Sequence, residues 1–141
     1  MRIVLTYGTF DLLHVGHINI LRRARALGDR LVVGLSSDAF NALKGKKATQ
    51  CCQDREEVLR SIRYVDDVFP EHSWEQKAAD IRRWGATQMV MGSDWEGRFD
   101  DLGQLCQVTY LPRTENISTT LLKEEIRRTG PVVVSLAGGV A

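Results

Sequence analysis

The sequence predicts an α/β domain with a mainly parallel sheet and helices on both faces. Two observations carry that expectation. Short apolar runs rich in β-branched residues alternate about five times with stretches whose apolar residues recur at helical spacing. At 141 residues, 43% hydrophobic and 26% charged, the chain suits one compact domain with a sizeable core.

The elements follow in order. "RIVLTYG" (2–8) reads as a buried strand, because it is apolar on both faces. "HINILRRARALG" (17–28) reads as a helix: Ile20, Leu21, Ala24 and Leu27 share a stripe, and Gly28 stops it. "RLVVGLS" (30–36) is a second strand. "SDAFNALKGKKATQCC" is polar and reads as a loop with one helical turn after Ser37. "QDREEVLRSIRYV" (53–65) is helical, with acids early and arginines late, as the helix dipole favours. "DDVFP" (66–70) is a short strand closed by Pro70. In "SWEQKAADIRRWG" (73–85), Ser73 and Gln76 have the spacing of a capping box and Gly85 ends the helix. "TQMVMG" (87–92) and "CQVTYLP" (106–112) are strands, separated by a loop with a short helix. "STTLLKEEIRR" (118–128) is a final helix with hydroxyl residues at its start. Residues 1–128 thus form the domain. The tail 129–141 is expected to be a mobile end, an extra strand or a dimer contact.

The totals exclude several classes. A formal net charge of +1 argues against a nucleic-acid binder built on a broad basic surface. No apolar stretch reaches the roughly 20 residues that cross a bilayer, and "MRIVLTYG" lacks the parts of a secretory signal. The expectation is a cytoplasmic protein with no membrane partner. The 3 cysteines, Cys51, Cys52 and Cys106, are odd in number and lack CxxC spacing, so they read as reduced thiols.

The stretch "YGTFDLLHVGH" (7–17) sits between the first strand and the first helix. In open α/β sheets, ligands bind beyond the carboxyl ends of the strands, where strand order reverses. His17 falls in the first helical turn, where free N–H groups and the positive dipole end attract anions. His14 approaches the same point, and Gly16 and Gly8 remove side chains that would keep a phosphate off the backbone. The stretch therefore fits a phosphate-binding turn with imidazole donors. Two other readings stay open. An H-x-x-H pair also suits zinc, although His72, the remaining histidine, precedes a different helix and no third ligand is spaced to join; no residue is assigned to a metal. The pair is also compatible with a purely structural role.

A second signal is "RTENISTT" (113–120), which follows the last strand and opens the last helix. Arg113 offers a planar fork for phosphate oxygens. Ser118, Thr119 and Thr120 bring hydroxyls and N–H groups to another helix start. Two anion-ready helix starts on one sheet suit a ligand with several phosphates, such as a nucleoside triphosphate. The commoner cradles, G-x-x-x-x-G-K-[ST] and G-x-G-x-x-G, are absent from the sequence.

Together "HVGH" and "RTENISTT" resemble the HxGH and RTxGISTT signatures of the cytidylyltransferases, within the wider HIGH-type nucleotidyltransferase superfamily. The similarity covers roughly residues 3–127 and includes "TYGTFDLLH", "RYVD", "WEQK", "MGSDWEG" and "YLPRTE". Two positions depart from the pattern. Asn116 stands where the family has glycine, and asparagine tolerates left-handed backbone angles better than most residues. Ser93 replaces a carboxylate, while Asp94 remains.

The resemblance implies a Rossmann-like, five-stranded sheet of order 3-2-1-4-5. It implies transfer of CMP from CTP to sn-glycerol 3-phosphate, giving CDP-glycerol for teichoic acid or capsule biosynthesis. It further implies Mg²⁺ bridging the CTP phosphates, and a homodimer. Within that scheme His14, His17 and Arg113 are catalytic donors to the phosphates. Thr9 and Phe10 present backbone N–H groups near the α-phosphate, with Gly16 beside them. Lys46 neutralises the triphosphate. Asp94, Thr114, Ile117, Ser118 and Thr119 belong to the nucleotide site, and Arg63 is a weaker member of it. Lys44 and Lys77 match the family's contacts to the acceptor phosphate, with Arg55 a weaker addition. Rival expectations are the same scaffold with another base or phosphorylated acceptor, and a nucleotide sensor without catalysis.

Overall fold

The computed structural model describes residues 1–129; the expectations for residues 130–141 lie outside it. β1 (Ile3–Gly8), β2 (Arg30–Ser36), β3 (Asp67–Glu71), β4 (Gln88–Gly92) and β5 (Gln107–Leu111) form one sheet of order β3-β2-β1-β4-β5, with every pairing parallel. The order reverses between β1 and β4, so the crevice at their carboxyl ends is the switch point.

Successive strand residues serve opposite faces, as the period of two demands. Val4, Leu31, Val33, Leu35 and Val90 pack against Leu21 and Ala24 of α1 (Val15–Arg25) and Leu59 of α3 (Cys52–Arg60). Leu5, Val32 and Met89 face the other way, toward Ile81 of α4 (Lys77–Trp84). The strands are therefore apolar on both sides, which is what made them read as continuous hydrophobic runs.

Several boundaries differ from the sequence expectation, each for a local reason. α1 begins two residues earlier than the helix expected over 17–28, because the His14 imidazole caps it by accepting the Gly16 N–H. The stretch expected as a loop with one turn is a six-residue helix, α2 (Asp38–Leu43), whose N-cap Ser37 accepts the Phe40 N–H. The expected Ser73 cap forms by half. Gln76 Oε1 accepts the backbone N–H groups of His72 and Ser73, yet α4 itself starts only at Lys77. Gly85 ends α4 in the left-handed region at φ 62°, as expected. Short 3₁₀ turns at Ser93–Trp95 and Asp100–Gln104 lead into β5, and α5 (Thr119–Thr129) closes the described chain. No described helix is long and apolar enough to cross a membrane.

Candidate active site

The β1–α1 turn is held in an uncommon backbone shape. Phe10 and Leu12 have φ of 50° and 48°, a region that residues with side chains seldom enter. The two histidines then lock one another. The backbone N–H of His14 donates to His17 Nδ1, and that of Gly16 donates to His14 Nδ1, each at 3.1 Å. A ring nitrogen that accepts an N–H carries no proton, so each neutral imidazole keeps its proton on Nε2. The rings stack with centroids 3.9 Å apart. Burial, then the neighbouring His14, pushes the His17 pKa down to about 4. Burial and the nearby Arg113 also lower that of His14. At neutral pH the pair is thus two uncharged N–H donors. Gly16 has a reason beyond ligand approach: a Cβ there would lie 2.8 Å from the His14 ring.

The second motif arrives from β5. Asn116 adopts φ 62°, taking up the left-handed turn expected of it. The following helix start is tied to the first turn, because Thr119 Oγ1 donates to the Asp11 carbonyl at 2.7 Å. Asn19 of α1 donates to Thr114 Oγ1 at 2.8 Å. Ser118 caps α5 by accepting the Leu121 N–H. Arg113 pairs with Asp94 at 3.2 Å across the mouth, both half-exposed. The two motifs therefore line one cavity of about 330 Å³, with His14, Gly16 and His17 on one wall and Arg113, Thr114, Ile117, Ser118 and Thr119 opposite.

A second cavity of about 430 Å³ adjoins it. Thr9, Phe10, His17 and Thr119 line both, so the two are lobes of one cleft. Lys44, Lys46 and Lys77 all reach this second lobe, as do Lys47 and Lys123, neither of which was given a site role of its own. Lys123 pairs with Asp11 at 3.4 Å; its place on α5 gives no local hint that it faces the cleft. The Lys44 ammonium lies 4.4 Å from the Phe40 ring, and burial holds its pKa below the usual lysine value.

Two expected substrate contacts sit elsewhere. Arg55 is fully buried behind the turn rather than on a solvated helix face. Its guanidinium donates to the carbonyls of Gln50, Thr9 and Ser36 and to the Asp38 carboxylate, which leaves it no role at a substrate. Arg63 is exposed just beyond α3, beside the amino end of β3, and stacks over Tyr64 at 5.7 Å. That is the edge of the sheet opposite the cleft, and Arg63 lines neither lobe.

Among the described residues no group of three or more His, Cys, Asp or Glu could hold a metal ion. Both histidine Nδ1 atoms are already acceptors of backbone N–H groups. Asp11 accepts the N–H groups of Thr49 and Gln50 besides pairing with Lys123. Asp94 is the exposed carboxylate that faces the first lobe. That donor set fits an Mg²⁺ ion held mainly by substrate phosphates, which is how the ion commonly binds.

The cytidylyltransferase-like family model matches residues 5–125. Glycerol-3-phosphate cytidylyltransferase of Bacillus subtilis is 58% identical over 126 residues, which cover 89% of this chain and 98% of that enzyme. The Staphylococcus aureus enzyme of the same name is 54% identical, covering 89% of this chain and 96% of its own. Among solved structures, a lipopolysaccharide core biosynthesis protein from Thermoplasma volcanium superposes with a TM-score of 0.70. It covers 82% of this chain and 99% of that one at 22% identity, a likeness of fold.

Proposed function

Because the chain belongs to the cytidylyltransferase-like family, we propose that it transfers CMP from CTP to sn-glycerol 3-phosphate, giving CDP-glycerol and pyrophosphate. The observation that carries this reading is the pair of lobes sharing one wall. The first has two helix starts and two imidazole donors, which suits a triphosphate. The second has clustered lysines, which suits a phosphorylated acceptor. A group bound at the shared wall is reached from both sides.

The chemistry asks little of the protein beyond placement. A phosphate monoester is largely dianionic at neutral pH, since its second pKa is near 6. It is itself the nucleophile, and no covalent intermediate is required. Its oxygen attacks the α-phosphorus in line, and the bond to the β-phosphate breaks as pyrophosphate leaves with the electron pair. Negative charge builds on the transferring and leaving oxygens. His14 and His17 meet it with Nε2–H groups fixed in advance, which is the most effective form of electrostatic stabilisation. Arg113 leaves Asp94 to hold the outer phosphates with Ser118 and Thr119. Thr9 and Phe10 offer backbone N–H groups near the α-phosphate, with Gly16, Thr114 and Ile117 shaping the nucleotide lobe. Lys46 adds positive charge, and Lys44 holds the acceptor phosphate. Mg²⁺ fits as an ion carried by the nucleotide with Asp94 beside it, and when bound it would neutralise phosphate charge.

By the same reading the enzyme works in the cytoplasm as a homodimer, without nucleic-acid or membrane partners, and supplies teichoic acid or capsule synthesis. Pyrophosphate release, measured with CTP against ATP and with and without glycerol 3-phosphate, tests the function. Release only with CTP and the acceptor together is expected. Release with ATP alone, or none with any pair, would remove the assignment.

A further inference from the structure

Lys77 is the least accessible charged group lining the acceptor lobe, and it sits among aromatic rings as well as beside a carboxylate. Its residue is 2% exposed and Glu71 is 3% exposed. The ammonium lies 2.5 Å from Glu71 Oε2. It also lies 4.5 Å from the Tyr7 ring centroid, 4.9 Å from that of Phe99 and 5.1 Å from that of Trp74. Three aromatic rings and one carboxylate around the same ammonium make a site for a cation, since ring faces are negative and a desolvated cation is drawn to them.

The site is firmly built. The Tyr7 hydroxyl donates to Asp80 at 2.8 Å, and Gln76 Nε2 donates to the same carboxylate at 3.0 Å. Trp95 packs between Trp74 and Phe99, at 5.3 Å from one and 5.8 Å from the other. Lys77, Glu71, Tyr7 and Trp74 all border the acceptor lobe. A cation cage therefore opens on the acceptor site, and the chain's own lysine fills it.

We infer that Lys77 determines acceptor specificity by occupying this cage, so that a phosphorylated polyol is accepted while a phosphorylated amino alcohol is refused. This rests on the function proposed above and adds the rule by which the acceptor is chosen. An acceptor carrying its own ammonium meets a filled cage and a like charge. A polyol phosphate carries no cation and needs no cage. Removing the lysine leaves three rings and an unpaired carboxylate, which is the chemistry that recognises an ammonium or quaternary ammonium group. The reaction is unchanged: the acceptor's phosphate oxygen bonds to the α-phosphorus of CTP, and pyrophosphate leaves.

The test compares kcat/KM for glycerol 3-phosphate with those for ethanolamine phosphate and choline phosphate, in the wild type and in Lys77→Ala. The ratio of amino-alcohol to polyol acceptor is expected to rise by roughly tenfold or more in the variant, the scale of one to two kcal/mol for a desolvated cation on aromatic rings. Choline chloride should also raise the melting temperature of Lys77→Ala and leave that of the wild type unchanged. If Lys77 only binds the acceptor phosphate, all three acceptors fall together, the ratio stays constant, and the inference is overturned. Should Lys77→Ala fail to fold, Glu71→Gln combined with Lys77→Ala leaves no unpaired charge. The ratio should shift the same way in that double variant, by less, and an unchanged ratio there overturns the inference too. A wild type inactive with glycerol 3-phosphate would instead count against the function, and choline stabilisation of the variant would still report on the cage.

Discussion

His17 carries two separate expectations. As a preorganised donor to developing charge, it is worth about a hundredfold in rate. His17→Ala should therefore lower kcat by at least about that factor in steady-state kinetics, and an unchanged kcat would contradict the role. Its burial also links folding to pH. The folded pKa is about 4 against 6.5 for a free imidazole, so between those values the unfolded chain binds more protons. Stability from neutral His17 is present above pH 6.5 and is lost progressively as pH falls toward 4, by up to about 3 kcal/mol. The difference in urea stability between wild type and His17→Ala should shrink over that window, because the variant lacks the group. A constant difference would mean that His17 is not buried as described. Histidine spacing alone marked the pair as candidate donors, with metal and structural readings still open. It did not reveal that each ring's Nδ1 is occupied by a backbone N–H, which fixes the tautomer and leaves Nε2–H as the donor.

At the level of elements, strands and helices were legible wherever burial is periodic, and boundaries were missed where a side chain does the capping. α1 starts at Val15 because an imidazole, an uncommon cap, takes the role of serine or aspartate. The left-handed turn at Asn116 was legible through the resemblance, because the family has glycine there and asparagine tolerates such angles better than most residues. Arg55 was not legible. Its acceptors are carbonyls of Thr9, Ser36 and Gln50, brought together only by the fold, and a helix-face arginine in sequence looks like any surface charge. Arg55 ties the β1–α1 turn to β2 and to the start of α3. Replacing it leaves buried carbonyls without donors, at about 1–3 kcal/mol for each unpaired group. Arg55→Met should cost about 3 kcal/mol in chemical denaturation while leaving both KM values nearly unchanged in the fraction that folds. A large selective rise in the acceptor KM would restore it as a substrate contact. Lys123 escaped because its approach to the cleft is a tertiary fact.

For the whole molecule, the parallel sheet brings two helix starts, far apart in sequence, to one switch point, and the lysine-lined lobe adjoins it across a shared wall. On the function proposed above, the two lobes take the two substrates side by side, so the acceptor phosphate reacts directly and no nucleophilic side chain is needed. The stereochemical course tests this most directly. CTP carrying a chiral α-thiophosphate is turned over with glycerol 3-phosphate, and the configuration at phosphorus in the CDP-glycerol analogue is read by ³¹P NMR. One in-line displacement predicts inversion. Retention would mean two displacements through a covalent enzyme intermediate, and would contradict direct transfer between the two lobes.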